Sequence, residues 1–342
     1  MKRATGIQAP QAGRASRRGF LGGACATLFA PHVIAAPSQL RFTHAYGETV
    51  LAEPARRVVS VGYNTQDTIL ALGVVPVGIR YWFGNYPFGV WPWAQSYLGG
   101  AEPKLMIGEV SMDTVSGLAP DLIIANGSGI SKAEYALLSK IAPVLMQGEN
   151  YSTYGSPWHE DTRRIGRALG KSDLAEDLVA GVKAKFAAAK ARHPEWQNKT
   201  AAAAWHNTGE TGAFMREDTR ARFLSELGFV PTKKLDYIAA KDGFYTTLSP
   251  EDLSPLDADL LIWISAMDDA TDIANLPMRR TLAAHRAGRE VFAGQLISGA
   301  LSFGSVLSLP FALEQLEGDI VAAMDGRPET VVASSAKAGI VP

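Results

Sequence analysis

Residues 172–192 read SDLAEDLVAGVKAKFAAAKAR, and the rest of the chain is interpreted from this central stretch. Apolar residues recur in it every three or four positions, which predicts an amphipathic helix with one buried face. The residues of the predicted face are Leu174, Leu178, Val182, Phe186 and Ala189. Asp173 with Glu176 resembles a capping box, and Pro194 ends the helix. A helix of this length is roughly 30 Å long, so it is either an ordinary surface helix or a rod that joins two lobes.

The composition is that of a folded globular protein without a strong net charge. The chain has 342 residues, which suffices for two domains of ordinary size. Its 33 lysines and arginines nearly balance its 34 aspartates and glutamates, so no net field favours nucleic acid or an anionic membrane. Because no run of about 18 apolar residues occurs, the sequence predicts no permanent membrane span.

The first 36 residues have the pattern of an export signal. Residues 16–21, SRRGFL, resemble the twin-arginine signal, and a weakly apolar run over 22–36 follows them. We therefore expect export to the periplasm and a mature chain that begins near residue 36 or 37. The single cysteine, Cys25, would be removed with the signal. Lipidation of Cys25 is disfavoured, because residues 22–24 (GGA) lack the leucine usual before a lipidated cysteine.

Strand and helix patterns alternate on both sides of the central helix. Before it, strand patterns lie at 57–62, 74–79, 121–125 and 144–146, and helical patterns at 65–72, 113–118, 132–141 and 159–169. After it, strand patterns lie at 200–205, 259–264 and 290–293, and helical patterns at 220–227, 251–256, 278–287 and 307–324. Strand-helix-strand order favours parallel pairing with right-handed crossovers. The predicted fold is therefore α/β, with two parallel-sheet lobes (37–170 and 195–326) joined by a single long α-helix within 171–194, and with a frayed tail at 327–342.

A repeated segment relates the two lobes. DTVSGLAPDLII at residues 113–124 aligns without a gap on EDLSPLDADLLI at residues 251–262, with five identical positions. Each copy opens on a carboxylate, Asp113 or Glu251, and each predicts a short helix followed by a strand. The helix dipole alone favours an acid in a first turn. The same register in both halves nevertheless indicates a duplicated unit, and it favours the rod interpretation of the central helix.

With these segments the chain resembles the substrate-binding proteins of bacterial ABC importers for iron-siderophores, haem and vitamin B12. The resemblance covers about residues 56–325. It rests most on RVVSVGYNTQDTILALGVVPVGI (57–79), on APDLIIA (119–125) with its second copy, and on the long helix. It implies a fold like that of class III periplasmic binding proteins, no enzymatic activity and no resident cofactor.

The resemblance also implies partners. The expected protein is a monomer that captures a ferric siderophore and delivers it to a membrane permease and its ATPase. In that family an acidic residue on each lobe docks on permease arginines, and the matching positions are Asp113 and Glu251. Asp113 departs from the usual glutamate, and its side chain is shorter by a methylene group.

The candidate ligand-binding residues follow the predicted strands, because ligands of open α/β lobes bind at the carboxyl ends of strands. A ferric siderophore is a bulky, often anionic chelate with flat arms, which Arg, Tyr and Trp side chains suit. The candidates are Tyr63, Arg80, Tyr81, Trp82, Trp91, Trp93, Tyr151, Trp205, His206, Arg216 and Tyr245, with Asn64 and Ser128 beside them. Arg80 and Tyr81 rank first, because an arginine directly after a buried strand needs an anionic partner.

Three other interpretations stay open from the sequence. Haem could be held by a tyrosine such as Tyr63 or Tyr245. Direct zinc or manganese binding would need three histidines and a carboxylate at strand ends, and His206 is the histidine so placed. An exported hydrolase is the third, although the GxSxG, HExxH, P-loop and GxGxxG motifs do not occur in the sequence.

Overall fold

The structure is a computed structural model that describes residues 39–241 and 243–341. The predicted export signal and Cys25 lie outside these residues. The strands of the first lobe are β1 (Leu40–His44), β2 (Gly47–Leu51), β3 (Val58–Ser60), β4 (Gly78–Arg80), β5 (Lys104–Met106), β6 (Leu122–Ile124) and β7 (Val144–Leu145). Its helices are α1 (Thr65–Ala71), α2 (Met112–Gly117), α3 (Lys132–Leu138) and α4 (Trp158–Ala168), with 3₁₀ turns at Pro87–Gly89 and Gln95–Leu98.

The sheet of the first lobe has the order β5-β4-β3-β6-β7, and all its neighbouring strands are parallel. Strands β3 and β6 are buried along their whole length, as expected for a sheet covered on both faces. The chain leaves β3 towards β4 on one side and later adds β6 on the other. The carboxyl ends of β3 and β6 therefore form the switch point at which such sheets bind ligands.

The long helix α5 spans Ser172–Arg192, the range that the sequence predicts. Its buried face is formed by Ala175, Val179, Val182, Phe186 and Ala189. The sequence placed Leu174 on this face, but that side chain is 39% exposed, so the predicted face was wrong in the first turn. The buried residues are separated alternately by four and three positions, which keeps them on one face of the helix. The predicted residues begin with repeated steps of four, which rotate progressively away from that face.

The predicted capping box at the start of α5 is also wrong. The residue before the helix is Lys171, and no side chain caps the free backbone N–H groups there. Glu176 instead accepts a hydrogen bond from Nε of Arg163 in α4, at 2.8 Å. The start of α5 is thus held against the first lobe by an exposed ion pair between the two helices.

The second lobe follows α5 and the 3₁₀ turn Pro194–Trp196. Its strands are β8 (Ala201–Asn207), β9 (Glu210–Phe214), β10 (Tyr245–Leu248), β11 (Leu260–Ile264) and β12 (Glu290–Ala293). Its helices are α6 (Thr219–Glu226), α7 (Lys233–Asp236), α8 (Thr271–Ala274), α9 (Ala283–Arg286), α10 (Gln295–Phe303), α11 (Ser308–Ala323) and α12 (Ala333–Lys337), with 3₁₀ turns at Ser254–Leu256 and Pro277–Thr281.

The sheet of the second lobe is parallel-rich rather than wholly parallel, which corrects the prediction. Its order is β10-β9-β8-β11-β12; β8, β11 and β12 are parallel, and β9 is antiparallel to both β8 and β10. The turn between β8 and β9 is Thr208-Gly209, and both residues have positive φ. A hairpin turn of this kind is usually signalled by Asn-Gly or Asp-Gly, so Thr208-Gly209 is a weak signal for it.

Helix α5 connects the hydrophobic cores of the two lobes. Ala175 and Leu178 pack in the first-lobe core with Ile165 of α4. Phe186 and Ala189, farther along the helix, pack in the second-lobe core. The helix therefore bridges two α/β lobes, as the sequence and the resemblance predict.

The repeated segments occupy equivalent places in the two sheets and share a hydrogen-bonding role. Asp121 precedes β6 and accepts hydrogen bonds from the backbone N–H groups of Arg56 and Arg57, at 2.8 and 2.9 Å. Asp259 precedes β11 and accepts from the backbone N–H of Thr200 at 2.9 Å. Each aspartate thus ties the start of one central strand to its neighbour. The second copy differs in its helix, which is only the 3₁₀ turn Ser254–Leu256.

Two other predicted elements are shorter in the structure. The strand predicted at 74–79 is reduced to β4, because Pro76 cannot donate to a sheet ladder. The helix predicted at 278–287 is divided into the turn Pro277–Thr281 and α9.

None of the helices in the described ranges is long and apolar enough to cross a membrane.

The C-terminal segment is folded against the second lobe, which corrects the expectation of a frayed tail. It contains α12, and the side chain of Ile340 is only 2% exposed. The hydroxyl of Ser335 donates to the carbonyl oxygen of Glu290 at 2.8 Å, and Arg279 donates to that of Val341 at 3.2 Å. The tail therefore covers the outer side of β12, at the edge of the sheet.

Candidate functional site

A cavity of about 650 Å³ lies between the two lobes. On the first lobe it is bordered by the loops after β3 and β6, at the switch point of the sheet. The loops are packed tightly there, since a Cβ atom on Gly62 would lie 2.1 Å from the carbonyl oxygen of Asn126. On the second lobe it is bordered by the start of α6, the start of β10 and the end of α10. This is the position in which an α/β protein of two lobes binds a ligand.

Aromatic side chains form much of the wall. Those that line the cavity are Tyr63, Trp82, Tyr154, Trp158, Phe244 and Tyr245. Tyr63 and Trp82 lie side by side, with 5.4 Å between their ring centroids. Tyr154 of the first lobe and Phe244 of the second meet edge to face at 6.3 Å. The wall thus offers rigid, flat contact area from both lobes.

Arg80 stands behind Tyr63 and does not line the cavity. Its guanidinium lies 4.5 Å from the centroid of the Tyr63 ring. It donates hydrogen bonds to the carbonyl oxygens of Gly108, at 3.2 Å, and Ser128, at 2.8 Å. We expected an arginine after a buried strand to require an anion, but backbone carbonyls at the ends of neighbouring strands supply its acceptors instead.

Arg220, at the start of α6, lines the cavity and was not a candidate from the sequence. Its Nη1 donates to both carboxylate oxygens of Asp218, at 3.1 and 3.0 Å, and its Nη2 donates to the hydroxyl of Ser302 at 2.6 Å. The guanidinium also lies 4.3 Å from the ring centroid of Phe214. These contacts hold Arg220 in one orientation against the second-lobe wall.

Asp161, in the first turn of α4, is the acidic residue of the first-lobe wall among the described residues. Its Oδ1 accepts hydrogen bonds from Asn126 and from Ser156, both at 2.8 Å. Burial raises the pKa of Asp161, and these two hydrogen bonds oppose the shift. Burial also raises the pKa of Tyr154, and the nearby Tyr63 adds to that shift.

The remaining candidates from the sequence lie outside the cavity wall. Trp91 is fully buried, Trp93 packs beside it, and Trp205 contacts Tyr245 from behind. Two further candidates are hydrogen-bonded to neighbouring side chains, the Tyr81 hydroxyl to Asn85 and His206 to Thr211. Arg216 forms an ion pair with Asp236 beside a separate pocket of the second lobe. Tyr151 lies in a small pocket of the first lobe near Phe42. The cavity therefore brings together Tyr63, Trp82 and Tyr245 of the predicted set, with Asn64.

Trp91 and Trp93 instead belong to an interlobe cluster, which we define as Trp82, Phe83, Trp91 and Trp93 of the first lobe with Phe303 and Phe311 of the second. The Trp91 ring lies directly on α10, since a Cβ atom on Gly299 would come within 2.3 Å of it. Asn64 also joins the lobes, donating to the carbonyl oxygen of Phe303 at 2.6 Å. The floor of the cavity is therefore a packed contact between the lobes.

A buried carboxylate lies beneath this cluster. Oδ2 of Asp67 accepts hydrogen bonds from Nε1 of Trp93, at 2.8 Å, and from the hydroxyl of Ser305 in the second lobe, at 2.6 Å. Its Oδ1 has no hydrogen-bond partner within residues 39–241 and 243–341. Burial raises the pKa of Asp67 to about 6, although both hydrogen bonds act in the opposite direction.

Metal ligands do not cluster in the described part of the chain. No group of three or more His, Cys, Asp or Glu side chains that could hold a metal ion occurs within it. His206 bonds the hydroxyl of Thr211 at 2.7 Å. The cavity thus presents aromatic surface and fixed polar groups, an arrangement that suits binding of a small molecule.

Comparison with known proteins agrees with this arrangement. A family model described as a periplasmic binding protein matches residues 58–291, more than half of the chain. The chain belongs to this family. As a periplasmic binding protein it belongs to a family of binding proteins and not of enzymes.

Solved structures share the two-lobed fold. The periplasmic solute binding protein from Mycobacterium smegmatis str. MC2 155 is 31% identical, with a TM-score of 0.74 over 84% of this chain and 99% of that one. PiaA from Streptococcus pneumoniae TIGR4, solved in complex with ferrichrome, is 25% identical, with a TM-score of 0.71 over 84% of this chain and 99% of that one.

Curated relatives match over smaller shares. The achromobactin-binding periplasmic protein of Dickeya dadantii is 27% identical over 124 residues, which are 36% of this chain and 38% of that protein. The chain thus spans well under half the length of this relative. The putative ABC transporter substrate-binding lipoprotein YhfQ of Bacillus subtilis is 25% identical over 240 residues, 67% of this chain and 71% of that protein.

The residues of this periplasmic binding protein that sequence reasoning missed do not follow the ends of predicted strands. Arg220 lies in the first turn of α6, and Tyr154 in the long loop between β7 and α4. The signal available for Arg220 was the N-cap residue Asp218, whose side chain accepts a hydrogen bond from the backbone N–H of Arg220. Residues 151–158, YSTYGSPW, contain three aromatic side chains, but the sequence does not indicate which ring faces the cavity.

Proposed function

We propose that this periplasmic binding protein captures a ferric siderophore between its lobes and delivers it to the permease of an ABC importer for iron uptake. The observation that carries the proposal is the aromatic-lined cavity of about 650 Å³ at the switch point of the first sheet. Support comes from relatives whose names state iron or siderophore ligands, among them the Fe(3+) dicitrate-binding protein FecB of Escherichia coli, 28% identical over 140 residues. Export by the twin-arginine route belongs to the same proposal and rests on residues 16–21.

Capture requires little movement of the lobes. The single helix α5 and the interlobe cluster both resist opening, since each buries apolar side chains from the two lobes. The hydrogen bond from Trp158 to Glu226, at 2.9 Å, and that from Arg222 to the carbonyl oxygen of Gly155, at 3.1 Å, add further links. The ligand therefore enters a largely preformed cleft, and binding orders few additional side chains.

The same proposal assigns delivery to the acids of the repeated segments. Asp113 lies in the first turn of α2, Glu251 lies just before the turn Ser254–Leu256, and both side chains are exposed. Exposed acids suit salt-sensitive contacts with permease arginines, and such contacts set orientation more than affinity. The fixed link through α5 would keep the two acids at a nearly constant separation.

Changing Asp113 and Glu251 together to Ala tests delivery. We expect iron uptake by cells to be lost, because the docking acids are gone, while the affinity of the purified protein for its ligand stays within about twofold. The matched control changes two other exposed acids, Glu53 of the first lobe and Glu210 of the second, to Ala and should preserve uptake. Uptake that survives in the Asp113 and Glu251 variant would refute the docking assignment.

Titration of the purified protein tests capture. We expect a ferric siderophore to quench tryptophan fluorescence at a ratio of one to one, since Trp82 and Trp158 line the cavity. Haem is the second candidate ligand, because both tyrosines suggested for it, Tyr63 and Tyr245, also line the cavity. A haem absorbance band shifted by stoichiometric binding, with no binding of ferric chelates, would favour that candidate. Turnover of a siderophore ester would contradict both.

A further inference from the structure

We propose that the cleft selects ferric chelates with little or no net charge, and that Asp161 disfavours polyanionic ones. The inference rests on the proposed function and narrows its ligand class. Fe³⁺ held by three hydroxamates forms a chelate of zero net charge, whereas three catecholates leave a charge of about −3. A site for the second kind needs unpaired cations on its wall. The charges on the wall of this cavity favour the neutral trihydroxamate chelate.

The charged groups of the wall are balanced. Among the described residues that line the cavity, Arg220 and Lys241 are basic, and Asp161 and Asp218 are acidic. The two basic and the two acidic lining residues balance, so the lining side chains contribute no net positive charge that would attract a trianion. A neutral chelate does not need positive charge on the wall in order to bind, and it loses little hydration on entering the cavity.

The best placed cation is already neutralised. Arg220 and Asp218 form a pair whose side chains are only 18% and 11% exposed, and Nη1 contacts both carboxylate oxygens. Nη2 is occupied by Ser302. Nε has no hydrogen-bond partner among the described residues, but it is buried, so the guanidinium presents no open pair of donors that could grip a carboxylate or catecholate in a bidentate manner.

The second nearby arginine is engaged as well. Arg80 lies behind the Tyr63 ring, and its donors face the carbonyl oxygens of Gly108 and Ser128. Arg80 does not line the cavity, so its guanidinium makes no direct hydrogen bond to a chelate there. The wall instead offers the six aromatic side chains, which suit the apolar backbone of a neutral chelate.

Asp161 adds a fixed negative group on the opposite side. Hydrogen bonds from Asn126 and Ser156 hold its Oδ1 and keep the carboxyl on the wall. A trianionic chelate in the cavity would face this carboxylate in a partly desolvated space, where like charges repel more strongly than in water. Asp161 is therefore a residue that determines specificity, whereas Asp218 is paired with Arg220.

Titrating the full-length mature protein with three probes tests the inference. The probes are a ferric trihydroxamate without other charged groups, a ferric tris-catecholate and ferric citrate. We expect the trihydroxamate to bind at least 100-fold more tightly than either anion, with a Kd that changes less than twofold between low and high salt. Tighter binding of the tris-catecholate or of citrate overturns this inference and leaves iron capture standing. Binding of none of the three overturns both proposals.

The variant Asp161→Asn isolates the role of the carboxylate. The amide oxygen can still accept from Asn126 and Ser156, and no charge is buried, so we expect a thermal midpoint at least as high as that of the parent protein. The affinity for the tris-catecholate relative to that for the trihydroxamate should rise about tenfold. Asp177→Asn, at an exposed position of α5, is the matched control and should leave this ratio unchanged. An unaltered preference in the Asp161 variant would remove this residue from the account, and the salt dependence of the parent protein tests the charge argument without any variant.

Discussion

Trp82 and Tyr81 are neighbours in the sequence but have different surroundings. Trp82 lines the cavity beside Tyr63 and is 36% exposed. The hydroxyl of Tyr81 donates to Asn85 within its own loop, at 3.0 Å. Both follow β4 directly, so their order along the chain does not distinguish them. We therefore propose that Trp82 contacts the ligand and that Tyr81 stabilises the loop.

This pair gives a direct test of the cavity wall. We expect Trp82→Ala to weaken ligand binding about tenfold, because it removes a flat aromatic surface from the site. Tyr81→Ala should weaken it less than about twofold. Calorimetric titration of both variants with the same ferric chelate makes the comparison, and equal losses would contradict the assignment.

Asp67 is a residue whose ionisation opposes folding at neutral pH. Its folded-state pKa is raised from 3.8 to about 6, so the native state binds this proton more tightly than the unfolded chain does. Stability therefore falls as the pH rises from about 4 through about 6 and stays lower above that range. A shift of about two pKa units corresponds to about 3 kcal/mol.

Asp67→Asn should accordingly stabilise the protein in a pH-dependent manner. The amide oxygen can still accept from Trp93 and Ser305, and no charge is buried. We expect the free energy of unfolding in urea to rise by about 2–3 kcal/mol at pH 7.5 and by less than about 1 kcal/mol at pH 4.5. Asp177→Asn, at an exposed site, serves as the control. Equal gains at the two pH values would show that Asp67 is not the titrating group.

The strand-end rule explains which site residues could be read from the sequence. Tyr63 follows β3 and Trp82 follows β4, and both border the cavity. Trp91 and Trp93 could not be assigned in this way, because whether a tryptophan faces a ligand or a second lobe depends on the packing of α10. Arg220 was missed because its role depends on the turn of α6 and on its pairing with Asp218.

At the level of elements, local signals were sufficient where they were strong. The apolar periodicity and Pro194 predict α5 at residues 172–192, and the helix has these bounds in the structure. β9 and β10 were missed because neither contains a continuous apolar run, and the Thr208-Gly209 turn between β8 and β9 is a weak hairpin signal. The tail was expected to fray, yet a few apolar side chains, Ile340 foremost, anchor it.

A matched pair of substitutions tests whether the tail contributes to stability. Ile340 is 2% exposed and Val341 is 55% exposed, although they are adjacent. We expect Ile340→Ala to lower the free energy of unfolding by roughly 2–3 kcal/mol, through lost burial and the cavity that remains. Val341→Ala should change it by less than about 0.5 kcal/mol. Urea denaturation measures both, and a frayed tail would give two small and similar values.

At the scale of the whole molecule, two lobes with separate sheets act as one binding unit. Helix α5 joins their cores on one side, and the interlobe cluster joins them below the cavity. The aromatic rings from both lobes then close around the space between them. A ligand bound there contacts both lobes at once, so its presence can be sensed by a partner that contacts each lobe.

The central claim is that an iron chelate binds between the lobes, and locating the iron tests it most directly. Crystals of the protein with a ferric trihydroxamate, measured at the iron absorption edge, give the metal position from anomalous scattering. The account predicts one iron in the interlobe cavity, with its chelate in contact with Tyr63, Trp82 and Tyr245. Iron found only in the separate second-lobe pocket beside Arg216, or at no defined position, would contradict it.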